Sequence, residues 1–359
     1  TMSVFKQDIR FTHSADGTRL AYASFGEGYP VVRAAHWFTD IEFDWQTPMF
    51  RAWFDAFGSR YRFIRYDSRG TGLSARGEVA LSLDHFVADL EAVVDAAGLD
   101  KFALWGQSSG GAVSIDYAAR HPKRVSHLVL LGAYSRGSMR RNPTPAQIEA
   151  LQAQAKLIEL GWGQDNEAFL QLFTSQIFPN ASSEQQHSFN ELQRRSCPPD
   201  FAARLVRAYY DFDASGLLGD VACPTLVLHC RGDVRAPFEK EGLFIASNIP
   251  NARFVALDSQ AHVPVPGEPA YDRIFEETDA FLPRRASTMP DKVFGQLTPR
   301  EQGILDLIAR GLDNLQVAAR LSISEKTVRN NITSIFDKLA VENRGQAIVK
   351  AREAGMGRV

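Results

Sequence analysis

Three residues of this 359-residue chain could together perform acyl-transfer chemistry: Ser108, Asp233 and His262. Ser108 stands in Gly106-Gln107-Ser108-Ser109-Gly110-Gly111, where the apolar run Lys101 to Trp105 meets a helical pattern from Ala112 to Arg120. Strand, sharp turn and helix form the context in which G-x-S-x-G carries meaning. So tight a turn strains the backbone at Ser108, and Gly106 and Gly110 leave room for the neighbouring backbone. The hydroxyl is then lifted clear of the sheet. Beside it the free N–H of Ser109, at a helix N-terminus, points at a developing oxyanion. A serine hydroxyl is a poor nucleophile until a base takes its proton. That base is usually a histidine held in the right tautomer by a carboxylate. In a strand-turn-helix site both partners belong on loops after later strands, in the order serine, acid, histidine. Asp233 follows the strand pattern Thr225–His229, and His262 follows Ala252–Leu257. Asp220 and Asp258 are weaker candidates for the acid, and His85, His121, His127 and His187 read as surface or structural residues.

The elements that must position these residues alternate. Asp8–Thr12 and Arg19–Ser24 read as a hairpin around Ala15-Asp16-Gly17. Val31–Ala34 and Arg62–Tyr66 read as strands, with a helix over Phe50–Phe57 between them. The loop His36-Trp37-Phe38 leaves the first of these strands, and Asp67-Ser68-Arg69-Gly70-Thr71-Gly72-Leu73-Ser74 is a glycine-punctuated turn after the second. Leu83–Ala97 has helical period with Ser82 as its N-cap, and Ser126–Leu131 is a further strand. Such alternation predicts a mostly parallel sheet covered on both faces. Between about 136 and 218 it stops. Pro145–Leu160, Asn166–Gln176, Ser183–Arg195 and Asp200–Tyr210 all read as helices, which suggests a lid over the site. The strands Thr225–His229 and Ala252–Leu257 and the helix Tyr271–Phe281 complete the pattern.

Composition is that of a globular protein, 45% hydrophobic and 23% charged with a net charge of −2. The chain as a whole is therefore no polycation. Residues 290–359 nonetheless carry 11 Lys and Arg against 8 Asp and Glu, a mildly basic tail on an acidic body. Cys197, Cys223 and Cys230 lack metal-ligand spacing and read as buried thiols in a reducing compartment. No metal or cofactor is expected. Thr1 to Phe11 has no apolar core of a signal peptide, and no run approaches membrane-spanning length. The expectation is a cytoplasmic protein without a membrane partner.

The tail has its own logic. Leu282 to Pro290 begins a linker, taken as 283–296. Thr298-Pro299-Arg300-Glu301 is a strong helix start, with an N-cap, Pro at the first helical position and Glu three after the cap. A short helix over Asn314–Leu321 is joined by Ser322-Ile323-Ser324 to a longer one over Glu325–Leu339. Val328, Ile332, Ile335, Phe336 and Leu339 line the buried side of the long helix. Lys326, Thr327, Arg329, Asn330, Thr333 and Ser334 face outward. Two helices joined by a three-residue turn, the second exposing donors and cations, form a helix-turn-helix pattern; periodicity alone allows a helical bundle that binds a protein equally well. Arg and Asn read base edges, while Lys and Thr bind phosphates. A last helix over Gln346–Glu353 closes this bundle.

Residues from about 5 to 283 resemble an α/β-hydrolase. The motifs that carry the likeness are His36, Asp67-Ser68-Arg69-Gly70-Thr71-Gly72, Gly106-Gln107-Ser108-Ser109-Gly110, Gly232-Asp233 and Ala261-His262. The family usually has His-Gly at the first; here it is His36-Trp37. The resemblance makes the Trp37 backbone N–H the second oxyanion donor beside Ser109, and puts His36, Trp37 and Phe38 in the ligand pocket. Leu297-Thr298-Pro299-Arg300-Glu301, Ala309-Arg310-Gly311-Leu312-Asp313-Asn314 and Leu321 to Val328 look like the LuxR-type DNA-binding domain, whose members bind DNA as dimers. Together these imply an α/β-hydrolase-fold domain over 1–282, with a mostly parallel sheet and helical lid, and a small all-α helix-turn-helix domain over 297–359. The function implied is a transcription regulator, acting as a homodimer on operator DNA. It senses a small acyl, ester or lactone ligand, and two readings of Ser108 stay open, turnover or binding only. The rivals are a serine esterase or lactonase with an auxiliary DNA-binding tail, and a protein-interaction platform. The helix-turn-helix argues against the first, and the serine–acid–histidine set against the second.

Overall fold

A computed structural model describes residues 5–164, 167–283, 296–353 and 356–357. The chain divides into two compact units, Thr1–Arg284 and Arg285–Val359. The expected linker lies almost wholly outside the described residues.

The larger unit is built on one eight-stranded sheet in the order β1-β2-β4-β3-β5-β6-β7-β8. Its strands are β1 (Asp8–His13), β2 (Arg19–Phe25), β3 (Pro30–Arg33), β4 (Arg62–Tyr66), β5 (Phe102–Gln107), β6 (Val125–Leu131), β7 (Thr225–Cys230) and β8 (Arg253–Leu257). The hairpin β1–β2 and the β2–β4 pair are antiparallel, and every other pairing is parallel. β5 and β7 are buried at every residue, so their near-continuous apolar runs face helices on both sides. These helices include α1 (Pro48–Gly58), α2 (Leu83–Ala96) and α3 (Gly110–Arg120). The helical excursion follows as α4 (Pro145–Gly161), α5 (Ala168–Ile177), α6 (Ser183–Ser196) and α7 (Pro199–Asp211). α4 and α6 each open on a capping box, Thr144 with Gln147 and Ser182 with Gln185. After β7 come α8 (Phe244–Asn248) and, after β8, α9 (Pro269–Phe281).

Ser82 is the N-cap of α2, in extended backbone; its carbonyl accepts the N–H groups of His85 and Phe86 at 3.0 and 3.3 Å, while its hydroxyl lies 2.6 Å from His85 Nδ1 and caps no backbone N–H. The sequence pattern picks out no element between β7 and β8, where Phe238–Leu243 forms a π-turn that runs into α8. Gly242 lets that turn close on β7, since a Cβ there would stand 2.7 Å from the His229 ring. Apolar periodicity does not register so short and wide a turn.

The turn after β4 anchors the loop that follows β3. Asp67 Oδ1 accepts the Ile41 N–H at 2.9 Å and Oδ2 accepts the Leu73 N–H at 2.8 Å. Burial pushes this carboxyl up to about 7. Arg69, fully buried, makes a two-pronged pair with Asp89 at 2.6 and 2.8 Å.

The smaller unit packs α10 (Pro299–Ala309), α11 (Asn314–Leu321), α12 (Glu325–Leu339) and α13 (Arg344–Glu353) around Ile304, Leu305, Ile308, Val317, Val328, Ile335 and Leu339. Phe336, expected inside, is only partly buried. Thr298 and Glu301 form a capping box at α10, as do Asp313 and Gln316 at α11. Ser322 takes the left-handed conformation, φ 53°, that ends α11, and the Ser324 side chain accepts the Thr327 N–H to begin α12. Glu301 then reaches across to α12. It accepts from Lys338 at 2.7 and 2.9 Å and from Ser334 at 2.6 Å. Lys338 and Ser334 hold its carboxyl down at about 2, against an ordinary 4.5.

A carboxyl held low stabilises the fold above its unfolded value and loses that contribution as pH falls from about 4.5 toward about 2. Glu301→Gln should therefore cost about 1–3 kcal/mol at pH 7, with the penalty shrinking toward pH 3. Amide hydrogen exchange along α10 and α12 measures it. Equal exchange in the two proteins at pH 7 would contradict this placement of Glu301.

Candidate active site and nucleic-acid interface

Ser108 sits between β5 and α3 with φ 52°, a left-handed backbone that a residue with a Cβ rarely adopts. Gly110 passes Ala34 O so closely that a Cβ would stand 3.1 Å from it. At Gly106 the crowding comes from the side chains of Ser114 and Leu130, at 2.7 and 2.8 Å, rather than from backbone. Ser108 itself is 7% exposed and faces a cavity of about 50 Å³ that His262 also lines.

His262 comes from the loop after β8. Its Nδ1 lies 2.7 Å from Asp233 Oδ2. Its Nε2 is buried without a hydrogen-bond partner among the described residues. Asp233, from the loop after β7, is also gripped through Oδ1 by the N–H groups of Arg235 and Ala236, at 2.8 and 3.0 Å. Burial works to raise the Asp233 carboxyl, but the imidazole of His262, the neighbouring His229 and these N–H groups outweigh it and hold the group below its ordinary value. Asp220 and Asp258 make no hydrogen bond to His262.

The expected pocket residues His36, Trp37 and Phe38 all line the Ser108 cavity. Burial drives the pKa of His36 well below its usual range, so it is neutral. Trp37 has φ 46°, and its indole N–H donates to Gln193 on α6 at 2.9 Å. The expected second oxyanion donor is corrected here. The Trp37 backbone N–H is already committed to Ser109 Oγ at 3.1 Å. The backbone N–H groups of Phe38 and Ser109 have no acceptor among the described residues. Phe38, the residue after this left-handed position, lines the cavity.

The lid supplies Ile177, Phe178, Phe189 and Leu192 to the same cavity. It also grips the loop bearing His262, because Ile177 O accepts the N–H groups of both His262 and Val263. Sequence reasoning missed Arg33, at the end of β3. It lines the cavity over the rings of Phe54 and Phe63, with no hydrogen bond or ion pair among the described residues. Burial lowers its pKa to about 10. The signal was an arginine inside an apolar strand pattern. Cys197, Cys223 and Cys230 are buried free thiols, and no cluster of metal-ligating side chains occurs among the described residues. No described helix is long and apolar enough to cross a membrane.

On α12, Lys326, Arg329, Asn330 and Thr333 are exposed, while Thr327 is half-buried with its hydroxyl 2.8 Å from Ser324 Oγ. Arg329 lies 3.7 Å from Glu325, an exposed pair worth little and readily released. Ser334, expected outward, is spent on Glu301.

An open parallel sheet with an antiparallel start, a serine at the turn after β5 and a helical insertion after β6 define the class of fold. The chain belongs to the alpha/beta hydrolase fold family, whose model matches residues 45–269. Residues 295–351 match the bacterial regulatory proteins, luxR family, so the chain joins a hydrolase domain to a LuxR-type DNA-binding domain. Among relatives, the chain is 28% identical over 58% of its length to 78% of a protein of Agrobacterium fabrum named, provisionally, carbamate hydrolase RutD. It is 26% identical over 70% of its length to 92% of a non-heme haloperoxidase of Rhodococcus erythropolis. An esterase from Exiguobacterium antarcticum superposes on it with a TM-score of 0.62 at 22% identity, covering 76% of this chain and 98% of that one. An enol-lactonase from Burkholderia xenovorans does so at 0.60 and 20%, covering 76% and 99%. At such identities the structures speak for the fold alone.

The surface of α12 predicts how the DNA contacts divide. Arg329→Ala should lose about 1–3 kcal/mol of binding to a duplex selected by the wild-type chain, with less loss on random duplex. Lys326→Ala should weaken both alike and reduce the salt slope by about 1. Filter binding across a salt series separates the two, and unchanged affinity in Arg329→Ala would take α12 out of the major groove.

Proposed function

We propose that this protein is a cytoplasmic, dimeric transcription regulator whose hydrolase domain both senses and hydrolyses a small acyl ligand. The observation that carries the reading is one cavity shared by a strained serine and an unpartnered imidazole nitrogen, in a chain that also carries a DNA-binding domain. Ser108 Oγ attacks the carbonyl carbon while His262 Nε2 takes its proton. Asp233, kept ionised, fixes the imidazole by its Nδ1 and stabilises the cation that forms. The N–H groups of Ser109 and Phe38 receive the oxyanion. Collapse of the tetrahedral intermediate expels the leaving group with a proton from His262, and water then releases the acid by the same route. The provisional name of the Agrobacterium relative, carbamate hydrolase, specifies an acyl carbonyl as its reacting group. A cavity of about 50 Å³ fits a short acyl group.

A second reading, a serine esterase or lactonase with an auxiliary DNA-binding tail, draws on the same cavity. It differs in having no coupling between ligand and DNA.

Two measurements follow. Wild-type protein should hydrolyse a short activated ester and take up a fluorophosphonate. Ser108→Ala should abolish both, and Asp233→Asn should slow both by about 10³-fold or more. Failure to label or turn over would leave a binding site only. If ligand biases DNA binding, DNA must bias ligand binding by the same factor. Calorimetric titration of Ser108→Ala with the ester, with and without a selected duplex, should then give affinities about 5-fold or more apart. Equal affinities would establish the esterase reading.

A further inference from the structure

Beside the Ser108 cavity lies a second one of about 300 Å³, and Trp37 forms a wall of both. Neither Ser108 nor His262 lines it. Its volume falls at the lower end of small-molecule sites. The lid covers it through α4, with Gln147, Leu151 and Gln154, and the loop after β7 closes it from below.

Its charged lining is of one sign. Arg141, Arg235 and Lys240 face it, with no aspartate or glutamate in the wall. Glu241, the carboxylate beside Arg141, is fully buried and already occupied. It accepts from Ser135 N and Oγ at 2.8 and 2.9 Å and from Arg136 Nε at 3.0 Å, and leaves Arg141 only a 3.5 Å contact. Arg235 has no ion pair among the described residues. Its guanidinium lies 4.5 Å over the Trp37 ring and 5.9 Å from that of Phe173, and Nη1 donates to Gln176 Oε1 at 3.1 Å. One of its five N–H donors makes the backing bond to the lid; the rest of the fork has no acceptor among the described residues. Lys240 Nζ likewise has no ion pair among the described residues. Burial pulls Arg235 and Arg141 below the usual arginine value, as for cations held from water without a full counter-charge. Between the charges the wall is apolar or aromatic: Leu151, Pro143, Pro237, Tyr134 and Tyr210.

We propose that this cavity is a second ligand site, which binds an organic monoanion, a carboxylate on a small apolar or aromatic body. Arg235 clamps the carboxylate with its guanidinium fork, Lys240 adds the second charge at the mouth, and Leu151, Pro143 and Pro237 pack the body. A guanidinium stacked on two rings is pre-ordered, so little freedom is lost on binding. The occupant would sit against the loop that presents Asp233, since Arg235 N–H donates to Asp233 Oδ1 at 2.8 Å. The site does not depend on Ser108 turning over a substrate.

Benzoate, its uncharged isostere benzamide and inorganic phosphate test this by calorimetric titration of the full chain at low salt. Benzoate should bind at least 10-fold more tightly than either of the others. Arg235→Gln should weaken benzoate about 10-fold or more, the equivalent of one charge-assisted bond pair, and leave benzamide unchanged. Lys240→Glu reverses an exposed charge without touching the core and should weaken benzoate about 3-fold or more. Arg33→Gln, in the Ser108 cavity, should leave the affinity for benzoate as it is in the wild type. Absence of benzoate binding, equal binding of benzoate and benzamide, or phosphate binding as tight as benzoate would overturn the proposal. So would a loss of benzoate affinity in Arg33→Gln with none in Arg235→Gln, which would put the anion in the Ser108 cavity.

Discussion

The left-handed backbone at Ser108 is the constraint on which the rest of the larger unit depends. A non-glycine residue held there costs on the order of 1–3 kcal/mol and persists only where its surroundings over-determine it. Here they do. Ser108 N–H donates to Leu131 O at the end of β6, while Ser108 O accepts from Gly111 N and Tyr134 N. The turn is thereby stitched to the strand beside it, and Gly110 lets it lie against the end of β3. Three parallel strands, β3, β5 and β6, end together around one hydroxyl, so the strain is supported by the most buried part of the sheet.

The lid does more than roof this site. Ile177 O holds the His262 loop, Gln176 holds Arg235, Gln193 holds the Trp37 indole, and Tyr209 Oη donates to Trp37 O at 2.8 Å. Each loop that carries a candidate functional residue after β3, β7 and β8 is thus tied to an element from the helical insertion. A shift of α5 or α6 would move the base and the cavity wall together. The hydrogen bonds that position the His262 loop and those that hold the cavity wall therefore come from the same helical insertion.

Buried charge sorts into two kinds. Arg65 with Asp44 and Arg69 with Asp89 are buried ion pairs that hold loops in place, and Asp44 also lines the Ser108 cavity. Arg33 and Arg235 have no such partner and both face cavities. An uncompensated guanidinium is costly to bury. Both arginines border open space rather than packed core.

Much of this was legible from sequence because the determinants are local. Gly106-Gln107-Ser108-Ser109-Gly110 specifies its own turn, the capping box at Thr298 and Glu301 specifies its own helix start, and the alternating strand and helix patterns specify a parallel sheet. The order of serine, acid and histidine followed from which strand ends can meet. Other features are properties of contacts between distant segments. Trp37 N–H was expected to face a ligand, yet it bonds Ser109 across 72 positions. Ser334 was expected to face outward, yet it bonds Glu301 across 33. Nor could spacing tell that Arg235, two residues after Asp233, lacks a counter-ion while Arg69 has one. Sequence determines which groups each segment can offer and where its backbone must bend; only the packed structure decides which donor finds an acceptor first, because that depends on distances between segments that no local pattern encodes.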